Sequence, residues 1–304
     1  ISSHFPVCVS VLYVLLMLLG IVGNVLTLLV VCLRPHMRSS SYLYLSSMAV
    51  SDLLILLLLP LDLYKLWRPR PWPFGDLLCK LTMFLSECCT FSSILHITFL
   101  SLERYLAVCW PIAAKALLTR RRTRLLIGCL WLAAAVSAAP VLIMVGVEDV
   151  DGEECGCTQW AVSSGLMSAM MVLSNVYFLV PFCILGLVYS LIGRTLWLRP
   201  QSGRRDQKHK NTVKMLGVIV LSFLLCWLPF HVGRTIFFSL SADAHLYLLY
   251  YLSQYLNLVS SVLFYLSAAI NPLLYNLMSA PYRRAVYSLE DGRLPSPVGV
   301  KERE

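Results

Sequence analysis

The apolar residues of this chain neither alternate with polar ones nor recur at the spacing of a single helical face. They run on without interruption, over 7–33, 42–64, 81–109, 125–147, 165–193, 213–241 and 246–278. Each run exceeds the roughly 18 residues needed to cross a hydrocarbon core of about 30 Å. Lipid offers no partner to an open backbone, so each run is expected to be helical. With their flanks the expected spans are about 7–33, 42–64, 76–109, 125–147, 165–197, 209–241 and 246–278, with a short amphipathic membrane-surface helix over about 280–290. The fold class is therefore all-α, one seven-helix transmembrane domain over 1–304. The first run is too long for a signal-peptide core and has no basic segment before it. Ile1 in place of Met reads as a start inside a longer chain.

Composition narrows the class. The 304 residues are 58% hydrophobic and 13% charged, with a mean hydropathy of +0.73. Soluble domains carry about 45–50% and about 25%, and disordered chains are poor in aliphatics and aromatics. A transmembrane β-barrel would alternate over segments of about ten residues. Nineteen of the 25 Lys and Arg fall in the loops after spans 1, 3 and 5 and in the tail. By the positive-inside rule, these face the cytoplasm and the N-terminus faces outward. The +9 net charge is then a topology signal and not a nucleic-acid footprint. The opposite face gathers Glu148, Asp149, Asp151, Glu153 and Glu154, with Asp62, Asp76, Glu87 and Asp243. This acidic vestibule either steers a cationic ligand or simply solvates the loops.

Eight of the 11 cysteines lie in or beside the spans and read as small buried hydrophobes. Cys79, Cys155 and Cys157 lie on the oxidising side, where disulfides persist. A bridge from Cys79 to Cys155 or to Cys157 would pin the acidic loop over the bundle.

Polar residues inside spans are costly and point to function. Asn24, Asp52 and Asn271 stand at similar depth on three helices, with Ser93 and Ser267 at the same level. They read as a hydrogen-bonded knot or as an oxygen-lined site for a sodium ion. Glu103-Arg104-Tyr105 sits at the cytoplasmic end of span 3, an acid–base neighbour pair that can be neutralised in one state and exposed in another. Glu87, a third of the way into span 3, needs a counter-ion, and Arg234 in span 6 supplies one. Pro60, Pro140, Pro181, Pro229 and Pro272 each remove a helical hydrogen bond, which suits a bundle with a cavity and movable segments. Trp227, beside Pro229, is placed to act as a steric latch.

Asn24, Asp52, Glu103-Arg104-Tyr105, Trp131, Pro181 with Tyr189, the CWLP box 226–229 and NPLLY 271–275 give one marker per span. In this the chain resembles the rhodopsin-like (class A) G-protein-coupled receptors over nearly its whole length. SLIGRTLW 190–197, RDQKHKNTVKML 205–216, CWLPFHVGR 226–234 and LFYLSAAINP 263–272 are similar to the ghrelin/motilin receptor subfamily, and the loop GVEDVDGEEC resembles its ghrelin branch. The resemblance implies a peptide-hormone receptor of the plasma membrane, ghrelin-like or motilin-like, coupled to a heterotrimeric G protein of the Gq class. It implies an ion pair between Glu87 and Arg234 that divides a ligand pocket lined by Asp62, Lys65, Phe230, His231, Asn257 and Phe264. It assigns sodium, the one cofactor implied, to Asp52, Ser93, Asn271 and Asn24. Ile94, Pro181 and Phe223 would form a packing switch below Trp227. Glu103, Arg104, Tyr105, Tyr189, Pro272 and Tyr275 would rearrange to admit the G protein. It favours Cys155 as the partner of Cys79, because EEC matches the subfamily's loop position.

Three departures stand out. Cys157 is an extra loop cysteine. Pro281 interrupts the region where the family has a basic start to its membrane-surface helix. The tail beyond Ser288 has one further Ser and no Thr, which weakens the case for arrestin recruitment. Membrane lipid is the remaining partner. A transporter is the rival class, but the chain shows no internal repeat. Enzyme signatures such as G-x-S-x-G, H-E-x-x-H and G-x-G-x-x-G do not occur.

Overall fold

Each apolar run becomes a helix, and the prolines and short polar segments set where each ends. The computed structural model describes residues 4–34, 39–68, 70–149, 153–198, 204–240 and 246–290. Within these, 4–5, 204–212, 215–216, 234–240, 246–255, 278, 280–281 and 290 are described as backbone alone. In chain order come α1 (His4–Leu33), α2 (Ser40–Trp67), α3 (Gly75–Cys109), α4 (Pro111–Leu117), α5 (Arg120–Ala138) and the turn α6 (Val141–Met144). A hairpin of β1 (Val145–Asp149) and β2 (Glu153–Cys157) leads through α7 (Gln159–Ser163) to α8 (Leu166–Leu198), α9 (Arg204–Leu240), α10 (Leu246–Met278) and α11 (Ala280–Glu290). Among the described residues, six helices are long and apolar enough to cross a membrane. In α9 the stretch Gly217–Gly233 is a shorter apolar segment.

The bundle is built round α3, which packs against α2, α5, α8, α9 and both strands. It is also the least apolar of the six, and 61% of its apolar stretch is buried inside the bundle, against 22% for that of the segment Arg120–Met144. A helix that sees little lipid is released from the need to be apolar, so the polar side chains of the membrane interior collect there. On the far side α1 lies against α2 and α10, and glycines set its distance. A Cβ on Gly20 would stand 2.6 Å from Leu56 Cδ1, and one on Gly23 would stand 2.8 Å from Pro272 Cβ. Larger residues would force α1 off its neighbours.

Two features of the fold depart from the sequence expectation. The fourth span, expected to reach 147, breaks at Ala139–Pro140 and turns to strand at Val145. There the Met144 carbonyl accepts from Thr158 N at 3.0 Å and Thr158 Oγ1 at 3.1 Å, and β-branched Val145 and Val147 join a ladder with Cys157 and Cys155. The turn α4 between α3 and α5 was not expected; Pro111 begins it at a position where a missing N–H costs nothing. The same reasoning applies to Pro281. It lies in the first turn of α11, which runs over the 280–290 expected for the surface helix.

Candidate functional site

The outer face is closed on one side by the hairpin. Cys79 at the start of α3 is bonded to Cys155 of β2, so the extra thiol, Cys157, is not the bridging one and stands exposed. Several acids expected in an open vestibule are used to hold this lid. Asp76 accepts from Val147 N at 3.0 Å and pairs with Lys80 at 2.6 Å. Glu148 accepts from Gln159 N at 3.0 Å, capping α7. Glu154 pairs with Arg70, whose Nε reaches it at 2.7 Å. Trp72, buried beneath, donates its backbone N–H to Glu153 O at 2.9 Å. Asp151 and Asp243 lie outside the described residues. The structure thus favours lid construction over ligand steering for Asp76, Glu148 and Glu154.

Beside the lid, the expected pocket residues take distinct positions. Asp62 and Asn257 are exposed; Lys65, Glu87, Phe230 and Phe264 are half-buried. His231 is buried, stacked on Phe178 with ring centroids 4.3 Å apart, and its Nδ1 is 3.1 Å from Asn175 Oδ1. Arg234 lies on α9, but its side chain is outside the described residues, and so the proposed contact with Glu87 is too.

Below, Trp227 is the hub. Its ring centroid lies 6.0 Å from Phe230, 6.4 Å from His231 and 5.3 Å from Phe264, and 5.7 Å from Phe223 beneath. Phe223, Ile94 and Phe178 belong to the same buried cluster, and Pro181 is buried inside α8.

Directly under Trp227 is a cavity of about 10 Å³, room for one water or one small ion. Asp52, Ser93, Ser267 and Asn271 line it with Met48, Ile55, Ile97, Phe223, Trp227 and Ile270. Asn271 Nδ2 donates to Asp52 Oδ2 at 3.0 Å, and Ser51 and Ser93 hydroxyls meet at 3.0 Å. One carboxylate among neutral oxygens suits a hard monovalent cation and not a transition metal. The structure does not bring Asn24 to this cavity. Its amide donates to Gly20 O and Ala268 O, each at 2.9 Å, and fastens α1 to α10.

At the inner end, Glu103 and Arg104 do not pair. The Glu103 carboxylate accepts from Ser40 Oγ at 2.7 Å and Thr123 Oγ1 at 3.3 Å. Arg104 Nε is buried and, among the described residues, has no hydrogen-bond partner. Tyr105 packs beside Val108, Val188 and Ile192. The Tyr189 hydroxyl lies 3.4 Å from Ser101 Oγ. Tyr275, buried beyond Pro272, meets Tyr282 of α11 edge-on at 6.2 Å.

Sequence reasoning missed His96. It is fully buried at mid-depth in α3, and an ionisable residue in an apolar span is itself a signal. Its Nδ1 faces the Ser92 carbonyl at 2.6 Å, so Nδ1 carries the proton. Nε2 then accepts from Ser47 Oγ at 2.9 Å, and Ser47 Oγ accepts from Trp131 Nε1 at 2.9 Å. This relay fixes the tautomer and joins α2, α3 and α5.

Residues 23–275 match the family described as 7 transmembrane receptor (rhodopsin family). The human growth hormone secretagogue receptor type 1 is 52% identical over 288 residues, covering 91% of this chain and 78% of that receptor. The mouse receptor of the same name is 53% identical, with 91% and 79% covered. The human motilin receptor is 41% identical, with 98% and 85% covered. These relatives are receptors and not enzymes. With its helical bundle, its lid disulfide and this match over most of its length, the chain belongs to the rhodopsin family of seven-transmembrane G-protein-coupled receptors, multi-pass proteins of the plasma membrane.

Proposed function

We propose that this receptor responds to an acylated peptide hormone of the ghrelin kind and signals through a Gq-class G protein, phospholipase C and calcium. The observation that carries the reading is Trp227. Its ring touches the expected pocket residues Phe230, His231 and Phe264 on one side and Phe223 over the Asp52 cavity on the other. A ligand that moves the upper rings therefore acts on the packing below Pro229, the proline inside α9. The ligand class is supported by identity, 52% with the human growth hormone secretagogue receptor against 41% with the human motilin receptor.

In this reading Glu87 and Arg234 divide the pocket. The N-terminus is outside and the C-terminus in the cytoplasm, as the basic loops suggest. A sodium ion at Asp52, Ser93 and Asn271 favours the resting arrangement. Arrestin has few tail hydroxyls to recognise. The test is calcium release in transfected cells given acylated ghrelin, unacylated ghrelin or motilin. Response to the acylated peptide at the lowest concentration supports the proposal. Preference for motilin would place the chain in the other branch, and silence toward all three would sink the peptide reading.

A further inference from the structure

Asp62 and Lys65 stand three residues apart near the outer end of α2, the spacing at which opposite charges on one helix meet. They do not meet. Lys65 Nζ lies 5.0 Å over the Trp72 ring and 3.5 Å from Cys155 Sγ, drawn toward the lid. Asp62 is drawn the other way, its Oδ2 accepting from the Tyr265 hydroxyl of α10 at 2.5 Å. Tyr265 has little freedom to follow. It is 1% exposed, with the Tyr13 ring edge-on at 5.2 Å and Phe264 at 5.1 Å. Asp62 itself is exposed, and the ion pairs among the described residues, Arg70–Glu154 and Lys80–Asp76, leave it out.

A hydrogen bond to a charged acceptor outweighs a surface ion pair, so the buried phenol wins the carboxylate from the neighbouring lysine. One oxygen is held, and Oδ1 is left as an acceptor at the surface. We propose that Tyr265 is a positioning residue whose hydroxyl keeps the Asp62 carboxylate apart from Lys65, so that it receives a cationic group of the ligand, a primary ammonium or a guanidinium. The inference rests on the peptide-receptor reading above and adds the chemistry of one contact. Without the hydroxyl, the carboxylate turns to Lys65 and the site neutralises itself. The ring packing, which phenylalanine preserves, is untouched.

The experiment uses the full chain in cells, with Tyr265→Phe and Asp62→Asn compared at equal surface expression. The probe is acylated ghrelin with its cationic groups neutralised one at a time: the α-amine acetylated, each lysine acetylated, each arginine replaced by citrulline. One neutralisation is expected to cost the wild type at least tenfold in potency, and to cost either variant less than threefold. A structural role for Tyr265 would lower the potency of every analogue alike and leave that ratio unchanged. If each neutralisation costs the variants as much as the wild type, the assignment is overturned while the receptor reading stands. A wild type silent to the parent peptide overturns both.

Discussion

Ser47→Ala should destabilise the receptor out of proportion to the one oxygen removed. That oxygen accepts from Trp131 Nε1 and donates to His96 Nε2, each at 2.9 Å. Its loss leaves one donor and one acceptor with no partner, at a depth where lipid supplies none. Hydrogen bonds between transmembrane helices average about 0.6 kcal/mol and reach about 1.7, so two lost together come to about 1–3 kcal/mol. At about 2–4 °C per kcal/mol for larger domains, the melting midpoint in detergent should fall by about 2–12 °C. Trp131→Phe removes the stranded donor, so the double variant should lose less than the sum of the singles. Strict additivity, or a shift under 1 °C for Ser47→Ala, would show that the relay from Trp131 to Ser92 is not a connected unit.

Cys79→Ala and Cys155→Ala should each abolish surface expression or ligand binding, since a native bridge contributes about 2–5 kcal/mol; Cys157→Ala should be mild, and flow cytometry separates them. If the Asp52 cavity holds sodium, raising sodium should weaken agonist binding by favouring the resting state. Radioligand competition should find that response lost in Asp52→Asn, and its persistence in full would rule the site out. Glu87→Gln and Arg234→Gln should each reduce peptide potency at least about tenfold, roughly 1.4 kcal/mol, with a double variant less impaired than the sum. Additive losses at normal expression would mean the two residues act separately.

The spans were legible because an uninterrupted apolar run of twenty or more residues admits one solution in lipid. The lid was not. Five residues such as Val145–Asp149 are too few to show a strand period, and what holds them is a ladder and a disulfide to residues beyond the turn. Asp52, Asn271 and Ser93 were found because polar groups in apolar runs declare themselves. The same logic, applied to His96, would have found the relay. It misplaced Asn24, since equal depth on three helices does not say which way a side chain turns. The separation of Asp62 from Lys65 was out of reach, because helix spacing predicts that they pair and the deciding group, Tyr265, comes from a helix two hundred residues later.

The close seat of α1 divides the molecule as a motor is divided. Gly23 lets α1 rest on Pro272, Asn24 ties it to Ala268 O at 2.9 Å, and Thr27 Oγ1 meets the Tyr282 hydroxyl of α11 at 2.9 Å. Arg34 Nη2 donates to Ser288 O at 2.5 Å, near the far end of that helix. These contacts bolt α1, the inner half of α10 and α11 into a stator. Across the bundle, Gly217 of α9 presents open backbone to the Tyr189 ring, 3.5 Å from where a Cβ would stand. At this level α8 and α9 face each other across a ring and a glycine, whereas nearer the pocket His231 of α9 stacks on Phe178 and lies 3.1 Å from Asn175 of α8. In the proposed reading, displacement arriving at Trp227 would meet that stator and be taken up by α9, with Pro229 as its pivot.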